Sequence, residues 1–209
     1  MAAPETHAVL SASSAQRWLH CPGSVALTKD MPDTTSEYAE EGRLAHAIAE
    51  LKLRKKFVEP MSPRTYNTRH NKLARDPHYK AEMESCTDEY VDYITDIANA
   101  LPSIPFVTVE HRVDFSEFVP DGFGTADCIL IHGSDLFVND YKHGKGVPVD
   151  ADNNPQMMLY ALGAVMEYRM LCDIQTVHMS IIQPRAGGIK ECTISRDTLM
   201  DWAAFTVRP

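Results

Sequence analysis

Gly124-Thr-Ala-Asp127-Cys-Ile-Leu-Ile131 and Leu136-Phe-Val-Asn-Asp140-Tyr-Lys142, separated by His132-Gly-Ser-Asp135, decide the fold. Both halves are rich in β-branched and aromatic residues and the connector has turn chemistry, so the stretch reads as a β-hairpin. With Ile131 facing Leu136 across a four-residue loop, the register sets Asp127 opposite Asp140. The two-residue period also puts Lys142 on the face of Asp140. Opposed residues of an antiparallel pair have Cβ atoms about 4.5 to 5.5 Å apart, where like charges destabilise. Two opposed aspartates need a reason. A divalent cation is one, because hard cations prefer carboxylate oxygens and cancel their repulsion. A slipped register that leaves one aspartate solvated is the other.

Upstream, Phe106-Val-Thr-Val-Glu110-His-Arg-Val-Asp114 alternates and predicts a strand, joined to the hairpin through Pro120-Asp-Gly122. Downstream, the glycine-rich basic turn His143-Gly-Lys-Gly146 lacks Walker spacing, which excludes nucleotide binding of that kind. Asn154 to Leu171 predicts a helix with Pro155 in its first turn, and Gln156 and Tyr160 share one face of it. Thr176 to Ile182 predicts a strand, Cys192 to Ile194 an edge strand, and Ser195 the cap of a last helix ending near Phe205.

The N-terminal half predicts helices. Residues 1 to 10 are expected to be loosely packed, and Ser11 to Ser14 to cap a short helix, Ala15 to Leu19, anchored by Trp18 and Leu19. A second cap in Asp33 to Ser36, with Thr34 and Glu37 at capping-box spacing, starts a long helix to Phe57. Gly42, His46 and Glu50 form one stripe along it. Residues 58 to 80, with three prolines, predict a mobile basic loop, and Glu82 to Leu101 a helix closed by Pro102.

Composition narrows the class. The 209 residues suit one core with an attached helical segment, and no run of about 18 apolar residues offers a membrane span. The N-terminus lacks a secretory pattern, and five scattered cysteines without a CxxC pair suit reduced thiols, so an intracellular protein is expected. The net charge of -9 argues against general nucleic-acid stickiness, yet Lys52 to Lys80 holds nine Lys or Arg against two acids, a patch that permits phosphate contact. Helix, strand, hairpin, helix and strand in this order predict an α/β fold, a small mixed central sheet flanked by helices. No G-x-S-x-G elbow supports a hydrolase nucleophile. A glycosidase carboxylate pair would leave Lys142 unexplained, whereas metal-assisted phosphodiester hydrolysis uses Asp127, Asp140 and Lys142 together.

Gly124-Thr-Ala-Asp127, Asp140-Tyr-Lys142, Gln156-Met-Met-Leu-Tyr160, the upstream Gly42-Arg-Leu-Ala-His46 and the N-terminal Ser11 to Ser24 together resemble the PD-(D/E)xK nuclease superfamily. The resemblance is specifically to its RecB-like and Cas4-like exonuclease branch, in phage and prophage forms, over roughly residues 10 to 185. It implies a single restriction-endonuclease-like domain over 1–209 with an N-terminal helical segment, 11–101. It implies a catalytic set of Asp127, Asp140 and Lys142, with Mg²⁺ or Mn²⁺ held by His46, Asp127, Asp140 and the carbonyl of Tyr141. Gln156 and Tyr160 would contact DNA or brace the site, and Glu110 would take part through a bound water. Ala126-Asp127 stands where the superfamily name has proline-aspartate. Cys21 matches the first ligand of the Cas4-type 4Fe-4S cluster, but Cys172 and Cys192 are too far apart for the rest, so no cluster is expected. The function implied is a DNA nuclease, exonucleolytic at ends or on single strands, in phage or bacterial recombination, repair or DNA processing. It would act in the cytoplasm of a bacterial host, with a recombination protein as a further partner. A catalytically inactive DNA- or partner-binding module on the same fold, or a structure-specific endonuclease, are the alternatives.

Overall fold

The computed structural model describes residues 8–28 and 36–208. The hairpin is present in the predicted register: β2 (Phe123–His132) pairs antiparallel with β3 (Asp135–Tyr141), from His132 opposite Asp135 through Ile131 opposite Leu136 to Cys128 opposite Asn139. The turn is tighter than the four residues expected. Because His132 and Asp135 join the ladder, only Gly133 and Ser134 connect the strands. Gly133 has φ 58°, at the first central position that type II′ hairpin turns give to glycine.

β1 (Phe106–Asp114) runs antiparallel to β2, β4 (Thr176–Gln183) parallel to β3, and β5 (Gly188–Ser195) antiparallel to β4, giving one five-stranded mixed sheet in the order β1-β2-β3-β4-β5. Parallel neighbours need a crossover, and α6 (Pro155–Tyr168) supplies it. Its N-cap Asn154 accepts from the N–H groups of Gln156 and Met157, and Pro155 takes the first helical position. Met157, Leu159, Ala161, Leu162 and Ala164 are all buried, so this helix is apolar nearly all round and lies over Ile129, Ile131, Leu136, Val138, Met179 and Ile181. α1 (Ala15–His20) and α7 (Arg196–Trp202) complete that layer. The indole N–H of Trp18 donates to the Ser11 carbonyl, while its ring is buried as expected.

The opposite layer is α3 (Glu37–Leu53) with α5 (Glu82–Ala100), whose Leu44, Ile48, Met83, Tyr90 and Ile94 close over Val109, Cys128, Leu130, Tyr141 and Ile182. Lys52 ties the two helices: its half-buried ammonium donates to Thr87 Oγ1 and Asp88 and pairs with Glu84 at 2.9 Å. Burial opposes its charge, but these carboxylates prevail and raise its pKa. The two layers exchange strands at one point. Val109 and Cys128 face α3 and α5, while Val113 and Ala126 belong to the α6 core, although within each strand, Val109 to Val113 and Ala126 to Cys128, the separation is even. The β1–β2 offset is the same on both sides of the exchange, with Val109 opposite Cys128 and His111 opposite Ala126, while Glu110 and Asp127 between them leave the ladder. Both strands therefore change face together at Glu110 and Asp127, and Glu110 takes φ 50° to do so.

The mixed α/β architecture, a small central sheet flanked by helices, is thus the one expected, consistent with a restriction-endonuclease-like core. Residues 58–80 depart from expectation. In place of a loop they hold α4 (Pro63–Leu73), capped by Ser62, whose hydroxyl accepts from the Thr65 N–H, with Pro63 at the first turn. The prolines mark its boundaries and do not break it. A further short helix, α2 (Gly23–Thr28), has no counterpart in the sequence reading. The cap of α3 is Ser36, accepting from the Ala39 N–H; Thr34 and residues 1–7 lie outside the described residues. Among the described residues no helix is long and apolar enough to cross a membrane.

Two helical glycines test this packing in opposite directions. A Cβ on Gly163 would lie 2.8 Å from Val113 Cβ and 3.2 Å from the Asp114 carbonyl oxygen, whereas one on Gly42 would meet nothing within 4 Å. Gly163→Ala should lower stability in urea titration by about 1–3 kcal/mol. Gly42→Ala should raise it by up to about 1 kcal/mol.

Candidate metal centre

The register carries more charge to one place than the hairpin alone implied. Continuing β1–β2 puts Glu110 opposite Asp127, and continuing β2–β3 puts Asp127 opposite Asp140, so three carboxylates cross three neighbouring strands in a row. α3 adds His46 from one layer, and α6 adds Gln156 and Tyr160 from the other. One ligand atom each from His46, Glu110 and Asp127 lie within 4.8 Å of one another. His46 Nδ1 is 3.4 Å from Asp127 Oδ1, and the Tyr141 N–H donates to Asp127 Oδ2 at 2.7 Å. Non-glycine backbone at positive φ costs roughly 1–3 kcal/mol and persists only where its surroundings fix it. Glu110 is such a residue, and the conformation coincides with a functional-type cluster.

Asp140 stands beside this cluster, tied the other way. Lys142 Nζ lies 2.9 Å from its Oδ2, and Gln156 Nε2 donates to its Oδ1 at 3.1 Å. The same Gln156 accepts from Lys142 through Oε1 at 3.1 Å and donates to the Tyr160 hydroxyl at 3.0 Å. Gln156 and Tyr160 thus brace the carboxylate and the lysine. The sequence-predicted residues come together in two linked groups. His46 and Asp127 stand with Glu110, the residue that sequence reasoning placed at the margin. Asp140 and Lys142 stand with Gln156 and Tyr160. Tyr141 connects them through its N–H.

Electrostatics show what such a row demands. Burial and then Asp127 push the Glu110 carboxyl up to about 8. At His46 burial works against the charged ring, but Asp127, Asp140 and Glu110 outweigh it and raise the pKa to about 9. Burial likewise raises Asp140, only partly offset by Lys142. At Asp127 burial pushes the same way, yet His46 prevails and holds the carboxyl below its ordinary value. Despite its burial Lys142 is raised by Asp140 and Asp127, so it stays an ammonium at neutral pH. With no cation, the cluster retains protons that an unfolded chain would release: Glu110 between about 4.5 and 8, His46 between about 6.5 and 9. The metal-free fold therefore loses stability as pH climbs through that window. Two carboxylates and an imidazole whose ligand atoms converge in this way could hold a divalent cation.

The centre opens into a cleft of about 710 Å³, lined by Gly42, His46, Glu50, Glu110, Gly124 and Tyr160 among others. Gly124 is dictated by that wall, since a Cβ there would lie 2.6 Å from the Tyr160 ring. A buried polar network fixes α3 on the far side. Glu41 pairs with Arg185 at 2.6 Å and with Lys80, and Arg185 also donates to the His143 carbonyl. His143 Nδ1 lies 2.8 Å from the Tyr141 hydroxyl, whose ring sits edge-on to His46 with centroids 5.3 Å apart. Sequence reasoning missed Glu41, Arg185 and His143, because no local spacing relates residues from a helix, a loop and a strand end. The signal for Glu110 was available in the strand register once β1 was paired with β2.

Among solved structures the chain is similar to an alkaline exonuclease (LHK-Exo) from Laribacter hongkongensis at 14% identity and TM-score 0.35, covering 78% of this chain and 82% of that one. It is also similar to the protein SSO0001 at 14% identity and TM-score 0.31, covering 78% of this chain and 73% of that one. Likenesses this slight carry no argument. The family comparison is of another order, because the model described as "Protein of unknown function (DUF2800)" matches residues 7–209, nearly the whole chain. The chain belongs to the DUF2800 family.

Proposed function

We propose that this chain is a divalent-metal-dependent DNA nuclease of the PD-(D/E)xK kind, acting as an exonuclease at ends or on single strands. One observation carries the reading: a row of three carboxylates across adjacent strands has a histidine on one side and a charged lysine on the other, and its His46 and Glu110 line a cleft. Glycosidases use two carboxylates but no such lysine.

His46, Glu110 and Asp127 would hold Mg²⁺ or Mn²⁺. Once bound, the ion would polarise a phosphate oxygen and make a nucleophilic water available near neutral pH. The chain's own residues do the rest. Lys142, kept charged by Asp140, presents a donor where negative charge builds on the phosphate oxygens. Its raised pKa suits that role better than general base. Gln156 fixes the direction of both Lys142 and Asp140, and Tyr160 fixes Gln156, so the donor need not reorganise as charge develops. The buried Tyr160 and Gly124 shape the wall against which the substrate would lie.

Metal binding must displace protons from His46 and Glu110, so affinity should rise with pH. Titration calorimetry with Mn²⁺ is expected to give a dissociation constant that falls about tenfold per pH unit between pH 6 and 8 for each proton displaced. His46→Ala should weaken binding and flatten that dependence. No heat of binding at either pH defeats the metal assignment.

Asp140→Asn and Lys142→Ala should each lower cleavage of linear DNA by about 100-fold or more while leaving the folded state cooperative in thermal melts. Full activity of Lys142→Ala would overturn its assigned role. Linear DNA should be degraded while covalently closed circles survive. Rapid nicking of circles would instead mark an endonuclease, and metal binding without cleavage of either would mark a binding module.

A further inference from the structure

We propose that α4 and the facing stripe of α3 form a track that grips the phosphate backbone of a single nucleic-acid strand and leads it to the candidate centre. The inference rests on the nuclease reading for the destination of the strand, and on different residues for the grip. Beside the cleft, a second hollow of about 500 Å³ is lined by Ala47, Glu50, Arg54, Glu59, Arg69 and Lys72, with Arg54 paired to Glu50 at 2.6 Å and Arg69 to Glu59 at 3.0 Å. Ala47 and Glu50 line both hollows, so they are continuous along α3. From His46 to Arg54 the helix advances eight residues, about 12 Å.

The element across that hollow is unusual for a protein of this charge. α4 contains Arg64, Arg69, His70 and Lys72 and no acidic residue, and none of its residues is buried. Its inward stripe is Tyr66, His70 and Leu73, with Leu73 packed against the α3–α5 core, which leaves Arg64, Arg69 and Lys72 exposed on the outer side. Polar ties add to that contact: Arg69 to Glu59 at 3.0 Å, His70 to Glu84 at 2.7 Å, and Lys55 over the Tyr66 ring at 4.0 Å. Lys72 is exposed and makes no ion pair with an acid among the described residues. Lys52 to Lys80 holds nine of the chain's 20 Lys or Arg and two of its 29 acids. Of these, Lys52 and Lys80 are paired with acids away from the hollow, so attraction of a polyanion along the track rests on Arg54, Arg69 and above all Lys72, while the acidic remainder of the surface repels it. A single strand can follow a groove beside α3 without laying further phosphates against the acidic body, which a duplex would have to do.

The test is fluorescence anisotropy with labelled oligothymidylate, with Ca²⁺ replacing Mn²⁺ to prevent cleavage, on wild type, Lys72→Glu and the double variant Arg69→Gln/Lys72→Gln. The proposal expects Lys72→Glu to weaken binding about tenfold and to make the salt dependence shallower by about 0.7 in log–log slope for each phosphate no longer gripped. The double variant should weaken binding further and flatten the slope more. Lys72→Arg should retain both the affinity and the slope of wild type. With Mn²⁺, the loss of cleavage on the oligonucleotide should exceed the loss on thymidine 5′-(p-nitrophenyl phosphate) about tenfold. Unchanged affinity, an equal loss on both substrates, or a loss for duplex without one for the single strand would each overturn it. If wild type cleaves neither substrate yet the anisotropy differences stand, the nuclease reading fails and the track survives.

Discussion

Mutual repulsion among Glu110, Asp127 and Asp140 is the constraint on which the middle of this molecule depends. Three acids in register on adjacent strands cannot all be ionised in a buried setting without compensation. The fold answers with different devices at each end. At Asp140 it is the ammonium of Lys142 and the amide of Gln156. At Asp127 it is the imidazole of His46 and the N–H of Tyr141. At Glu110 the pull of His46 and Arg54 does not overcome burial and Asp127, and that carboxyl is raised into the neutral range.

The exchange of faces at Glu110 and Asp127 explains how helices on opposite sides of a sheet reach one spot. An uninterrupted sheet separates its two layers, with alternate side chains belonging to one or the other. Here Val109 and Cys128 belong to the α3–α5 layer, and Val113 and Ala126 to the α6 layer, with the switch between them. His46 and Gln156 come from helices that would otherwise be kept apart by the strands. The backbone strain at Glu110 is the local cost of bringing them onto the same row.

How much of this is legible in the sequence follows from the range of each interaction. The hairpin register, β1, α5 and α6 rest on periodicity and caps within a few residues, and their predicted boundaries lie close to the observed ones. α4 escapes such a reading because its apolar signal is thin: only Tyr66 and Leu73, on either side of His70, mark its inward stripe, and Pro63 at a first turn looks in sequence like a helix breaker. The centre is half legible. Asp127, Asp140 and Lys142 follow from alternation in one hairpin. His46 stands out in a stripe with Gly42 and Glu50, but its place near Asp127 depends on how a helix docks about 80 residues away in sequence. The network of Glu41, Arg185 and His143 is longer in range still, and no single segment carries its trace.

Cys128 lies directly beneath the centre, next to Asp127 in the chain and wholly buried on the α3–α5 side. Burial and the neighbouring carboxylate push its thiol far above the ordinary range. In the closed protein it is therefore mute toward alkylating reagents, while Cys21 on the surface is open to them. Reaction at Cys128 requires the sheet to part just under the carboxylates, so its labelling rate is a clock for the breathing of this centre. The molecule carries a reporter of its own local opening, placed one residue from the group whose geometry matters most.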